Sequence, residues 1–127
     1  MNTEAGRPVP ADPDERLRLG VLGTWTDDYR GKRTMTLAED GAGWMVVELE
    51  GLSATLFAER LRFEMVWSVE NGCLKKQTVG GEPADKVNLI VKTMGDRVVE
   101  KIEEISEDRL VLLDPDGKTR YTWARVR

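Results

Sequence analysis

The sequence predicts an all-β fold: a single antiparallel up-and-down β-barrel of eight to nine strands, entered through a short N-terminal helical turn. Three observations carry this expectation. Turn-forming residues recur at Tyr29-Arg30-Gly31, Asp40-Gly41, Asn71-Gly72, Gly80-Gly81, Gly95-Asp96 and Asp114-Pro115-Asp116-Gly117. Their spacing, about eight to twelve residues for the most part, is that of a sandwich or barrel. Between the turns the apolar residues alternate. Leu61, Phe63, Met65, Trp67 and Val69 share one face of a strand, opposite Arg62, Glu64, Ser68 and Glu70, and Val66 alone breaks the pattern. At helical period the same residues would scatter around the axis. Finally, Asn71 and Gly72 both tolerate the positive φ that a twist-compatible type I′ hairpin demands.

The elements follow in order. Residues 1–12 hold Pro8 and Pro10 among small and charged residues. Such a segment gains too little by burial to order itself and reads as a flexible tail. The domain then spans 13–127. Asp12 or Asp14 can cap the helical turn, Pro13 fits its first position and Gly20 can end it. Strands are expected over 22–29, 32–38, 43–50, 60–70, 73–79, 86–93, 97–105, 108–113 and 118–126. The strand at 86–93 rests on the alternation of Val87, Leu89 and Val91 against Asn88 and Lys92. Residues 52–59 remain open among a helical turn, a lid and an extension of the strand that follows. Tight turns make consecutive strands antiparallel neighbours, and closing the sheet removes its exposed edges.

Composition excludes several classes of function. The chain has 127 residues, enough for one domain, with a net charge of −4 and basic and acidic residues interspersed. No basic block marks a nucleic-acid or anionic-lipid partner. One cysteine, Cys73, rules out an internal disulfide, and the chain contains no histidine. The usual general base, metal ligand and proximal haem ligand are therefore missing, so no metal, cofactor or catalytic residue is expected. The polar N-terminus lacks the apolar core of a signal peptide. No stretch approaches the roughly 18–20 apolar residues of a membrane span. The chain as written is expected in the cytoplasm, unless an export signal stood ahead of Met1.

Several pieces together resemble a known family. Gly23-Thr24-Trp25, after the helical turn, looks like the Gly-x-Trp signature of lipocalins. Thr36-Leu37 with Asp40-Gly41-Ala42-Gly43, the hairpin Trp67-Ser68-Val69-Glu70-Asn71-Gly72-Cys73-Leu74, and Ile102 to Leu112 are similar to small bacterial lipocalin-like domains. The resemblance covers about Gly20 to Arg127 and implies a lipocalin-like barrel. It also implies an arginine packed across the signature tryptophan, for which Arg125 over Trp25 is the first candidate and Arg127 the second. Because the chain is shorter than true lipocalins and lacks their disulfides and long C-terminal helix, the size of any ligand cavity stays open.

Candidate sites each stand beside a plainer reading. Phe63, Met65, Trp67, Tyr121 and Trp123 can line a pocket for a small apolar ligand, or simply fill the barrel. Trp44 can mark a partner-binding spot or pack normally. Asp114-Pro115-Asp116-Gly117 lacks the later bidentate acid of a calcium loop and reads as a β-turn. Glu103 and Glu104 point to opposite faces, whereas Glu100 and Glu104 share one with Val98 and Ile102, so that either can enter the interior. A solvated charged face is the expectation for these acids. No histidine can activate Cys73, which reads as a structural thiol. Gly80-Gly81-Glu82-Pro83 reads as a flexible connection with no helix after it. The expected function is non-enzymatic binding of an apolar or amphipathic molecule inside the barrel. The alternative is a protein-interaction or inhibitor-type module with a packed interior. Two buried ionisable groups converging in a cleft would instead point to an enzyme.

Overall fold

Strands with one apolar face must bury that face, and here they do so by closing on themselves. The computed structural model describes residues 12–28, 31–51 and 59–127. The order is α1 (Pro13–Val21), β1 (Gly23–Asp28), β2 (Lys32–Leu37), β3 (Ala42–Glu48), β4 (Arg60–Glu70), β5 (Cys73–Glu82), α2 (Ala84–Met94), β6 (Arg97–Ile105), β7 (Arg109–Leu113) and β8 (Arg120–Val126). Each strand pairs antiparallel with the next, and β8 returns to β1 to close an eight-stranded barrel. No described helix is long and apolar enough to cross a membrane. The expected tail falls largely on residues 1–11, outside the described residues. So does nearly all of 52–59; of that span only Glu59 is described, its carbonyl accepting from Leu49 N at 2.9 Å.

Register carries the alternation around the barrel. Trp25 lies opposite Met35, Met35 opposite Met45 and Met45 opposite Phe63, so one ring of four strands shares an inward layer. Val66 faces outward and is exposed, which explains its break in the pattern. Asn71 and Gly72 have φ of 54° and 75°, as their hairpin requires.

One end of the barrel is packed shut. Asp12 caps α1, accepting from Asp14 N at 2.9 Å. The Asp14 carboxylate in turn accepts from Asn71 N and Gly72 N, both at 2.8 Å, tying the helix to the β4–β5 turn. The Arg18 guanidinium sits 5.3 Å from the centroid of the Trp67 ring. Beneath α1, Val21, Trp25, Met35, Leu37, Leu74, Leu110, Leu112 and Trp123 are fully buried.

Two expectations fail at the other end. The strand predicted over 86–93 is the helix α2. Val87, Leu89 and Val91 do alternate, but Val87, Ile90, Val91 and Met94 also recur at helical spacing, and the helical stripe prevails. Pro83 sits at its N-cap and Gly95, at φ 90°, closes it by donating to Val91 O. The expected loose connection at 80–83 is also overturned. Gly80, Gly81 and Glu82 extend β5 opposite Glu64, Phe63 and Arg62, and α2 follows directly. Glycine is required at 81 by close approach. A Cβ there would collide with the Arg62 carbonyl and lie 2.9 Å from the buried Val87. Gly81→Ala is expected to cost about 1–3 kcal/mol through this overpacking. Urea denaturation checks it, and an unchanged midpoint would show that α2 is not keyed to the sheet at this point.

Candidate functional site

The strands that fill one half of the barrel leave the other half open. A cavity of about 690 Å³ lies in that half, within the roughly 300–1,000 Å³ range of small-molecule sites. Its apolar wall comes from inward positions of β3 and β4, namely Met45, Val47, Leu61, Phe63 and Met65, together with Leu49 and with Ile90 and Met94 of α2. The helix that replaces the predicted strand thus contributes to the lining.

On the strands next to this wall the lining becomes charged. Leu74 faces Glu100 and Lys76 faces Val98 across β5 and β6, which makes Lys76 and Glu100 diagonal neighbours on the inward face. Lys76 Nζ lies 2.9 Å from Glu100 Oε1, and each side chain is only 7% exposed. The other contact of Lys76 Nζ is Met35 Sδ at 3.8 Å, a weak acceptor. Glu100 Oε1 has no hydrogen-bond donor aligned with it among the described residues, so its contact with Lys76 is an ion pair rather than a well-directed hydrogen bond. The expectation of a solvated face is therefore corrected for Glu100. It holds for Glu104, which a bulge between Ile102 and Glu104 turns outward to pair with Arg109 at 3.1 Å. Glu103 is held below the usual carboxylate range, chiefly by its hydrogen bond from Arg120.

A second inward pair stands beside the first. Arg33 lies directly across from Asp27 and donates to both its oxygens, Nε to Oδ1 at 2.9 Å and Nη2 to Oδ2 at 2.5 Å. Its guanidinium lies 4.7 Å from the ring centroid of Trp123 and 5.1 Å from that of Tyr121. The Tyr121 hydroxyl donates to Asp114 Oδ1 at 3.1 Å. Asp114 also accepts from Asp116 N, and Asp116 accepts from Lys118 N and from the Thr119 amide and hydroxyl. These bonds, that of the Thr119 hydroxyl first, hold Asp116 below the ordinary aspartate range. The turn thus spends its own carboxylates on its own donors. Among the described residues no group of three or more His, Cys, Asp or Glu side chains is placed to hold a metal ion.

The aromatic and methionine set divides between the two halves. Phe63, Met65 and Tyr121 line the cavity. Trp67 and Trp123 sit in the packed core, where Trp67 Nε1 donates to Ala38 O and Ala42 O at 3.0 and 2.9 Å. Trp44 is half-buried on β3, with Arg62 5.4 Å from its ring centroid. Cys73, also partly buried, begins β5 and is not part of the cavity lining. Arg125 lies 4.2 Å from the ring centroid of Trp25 and donates to Leu22 O at 2.7 Å and Gly20 O at 3.0 Å. Gly23 has φ 116°, and a Cβ there would come within 2.8 Å of Arg125 Nη1. Arg127 instead pairs with Asp108 and Glu107 on the surface.

With eight strands closed in sequence order, a helix across one end and an arginine on the first tryptophan, the architecture can be compared with known proteins. A lipocalin-like protein from Bacteroides uniformis superposes with a TM-score of 0.59 at 15% identity, over 84% of this chain and 99% of that one. The fold is lipocalin-like. An uncharacterized protein from Bacteroides eggerthii shares it with a TM-score of 0.52 at 12% identity, over 83% and 98% of the two chains. No family model and no curated protein sequence matches the chain. At these identities the likeness concerns the lipocalin-like barrel alone, and function must be argued from the cavity.

Proposed function

We propose that this lipocalin-like barrel is a non-enzymatic binding protein that holds a small apolar or amphipathic molecule in its open half. The observation that carries the reading is the cavity of about 690 Å³, lined by an apolar wall and by charged residues. Such a cavity removes an apolar body from water and leaves a few polar groups to fix its orientation. Two buried ionisable groups do converge there, as they would in an enzyme. Each, however, is the other's counter-ion, and among the described residues neither is hydrogen-bonded to a hydroxyl or thiol nucleophile.

The neutral fluorophore N-phenyl-1-naphthylamine, whose emission rises in apolar surroundings, tests the reading. The protein is expected to bind it with saturable enhancement. Phe63→Ala, which removes an aromatic ring from the lining, is expected to weaken binding about tenfold, equivalent to about 1.4 kcal/mol. Native mass spectrometry of the protein as purified, followed by solvent extraction, is expected to show an apolar passenger. No passenger and no fluorophore enhancement together would sink the carrier reading.

A further inference from the structure

The charged wall of the cavity narrows the class of ligand. We infer that the barrel selects amphiphiles with an uncharged head group that both donates and accepts a hydrogen bond, an alcohol or a primary amide, over fatty carboxylates and alkylammonium ions. The inference rests on the binding role proposed above and adds the head-group chemistry.

Each cation on the cavity wall already has a carboxylate within reach. Arg33 has Asp27, Lys76 has Glu100, and Arg97 has Asp96 at 3.9 Å near the rim. An incoming carboxylate thus finds each cation of the described cavity lining already beside a carboxylate. At Lys76 it meets a carboxylate only 2.9 Å from the ammonium it seeks. An incoming ammonium ion meets the converse, since approach to Glu100 brings it against Lys76. Like charges so close in a site screened from water disfavour both ions.

A hydroxyl or amide faces no such conflict. Lys76 carries three N–H donors, and among the described residues its polar contacts are Glu100 Oε1 and the soft Met35 sulfur. Glu100 lines the cavity with its carboxylate only partly satisfied, since Oε1, buried against Lys76, has no aligned donor. The pair therefore presents a donor and an acceptor side by side. One hydroxyl can accept from Nζ while donating to the carboxylate, and a primary amide can do so with its two ends. Buried polar groups that complete their hydrogen bonds only with the right head group discriminate strongly against the wrong one.

A series of equal chain length isolates the head group: dodecanol, dodecanamide, dodecanoate and dodecylammonium, each displacing N-phenyl-1-naphthylamine near neutral pH and below its aggregation threshold. The alcohol and the amide are expected to compete at least about tenfold more tightly than either ion. Glu100→Gln, which leaves the Lys76 charge uncompensated, is expected to shift the preference toward dodecanoate by about tenfold. The double variant Lys76→Met/Glu100→Leu keeps the cavity apolar should the single variant fold poorly. It is expected to bind the chains with no preference for the alcohol beyond that of the apolar wall. Dodecanoate binding as tightly as dodecanol in the parent, or an undiminished alcohol preference in the double variant, would overturn the inference while leaving the carrier role intact. Fluorophore binding with no displacement by the alcohol or amide would also overturn it. Failure of the fluorophore to bind, together with the absence of any passenger in the purified protein, would overturn the carrier role as well.

Discussion

Glu100→Leu is expected to destabilise the barrel by about 3–5 kcal/mol, the usual cost of leaving a buried charge without its partner. Both members of the Lys76–Glu100 pair are 7% exposed, so the ammonium left behind cannot simply return to water. Its remaining neighbour is the Met35 sulfur at 3.8 Å, which compensates little of the lost attraction. Replacing both partners, as in Lys76→Met/Glu100→Leu, is expected to restore most of the loss, because a well-packed apolar pair often matches or exceeds a buried ion pair in stability. Urea denaturation of the two variants and the parent measures this directly. A single variant within about 0.5 kcal/mol of the parent would show that the ammonium does not depend on Glu100.

This ordering of stabilities bears on why the pair is present. If the apolar double variant is at least as stable as the parent, the ion pair does not serve folding. A group that costs stability yet lines a cavity is most economically explained by what it does to a ligand. Packing and open space lie apart in the structure: α1, Trp25 and Trp67 pack one end, while Lys76, Glu100, Phe63 and α2 surround the cavity at the other. The packed half can carry the stability that lets the open half remain unfilled.

The barrel was legible in the sequence because alternation and turn chemistry are local signals. Leu61 to Val69 declares its inward face without reference to any other strand, and Asn71-Gly72 declares its turn. The helix α2 was not read because Val87, Leu89 and Val91 satisfy the strand period at the same time as Val87, Ile90, Val91 and Met94 satisfy the helical one. Pro83 before it and Gly95 after it are the signals that favour the helix. Phe63, Met65 and Tyr121 were legible as pocket candidates from residue type. Lys76 was not, and Glu100 only as one of two acids able to turn inward, with water the expected surroundings. Taken alone, each is a charge that should prefer water, and only the register of β5 on β6 makes them diagonal neighbours whose mutual attraction offsets burial. Arg33 and Asp27, opposite one another on adjacent strands, are hidden in the sequence for the same reason.

Trp25→Ala is expected to cost about 3–5 kcal/mol, the range for truncating a fully buried large aromatic residue, and to stand near its upper end. Trp25 is 0% exposed. Its removal leaves a void beneath α1 and strips Val21 O of the indole N–H that donates to it at 2.9 Å. It also deprives Arg125 of the ring 4.2 Å from its guanidinium. That cation–π contact accounts for about 0.5–2 kcal/mol, depending on how far the cation is desolvated. Trp25→Phe keeps an aromatic face for Arg125 but loses the N–H, and the smaller loss expected, about 1–3 kcal/mol, isolates the unsatisfied carbonyl from the void. Phe63→Ala provides the contrast. Its ring borders space that is already open, so its truncation enlarges a cavity rather than creating one. Its stability loss, read from urea midpoints at unchanged m-value, should therefore be clearly smaller than that of Trp25→Ala. Equal losses would mean that the two halves of the barrel are packed alike, and the division between a packed end and an open end would fail.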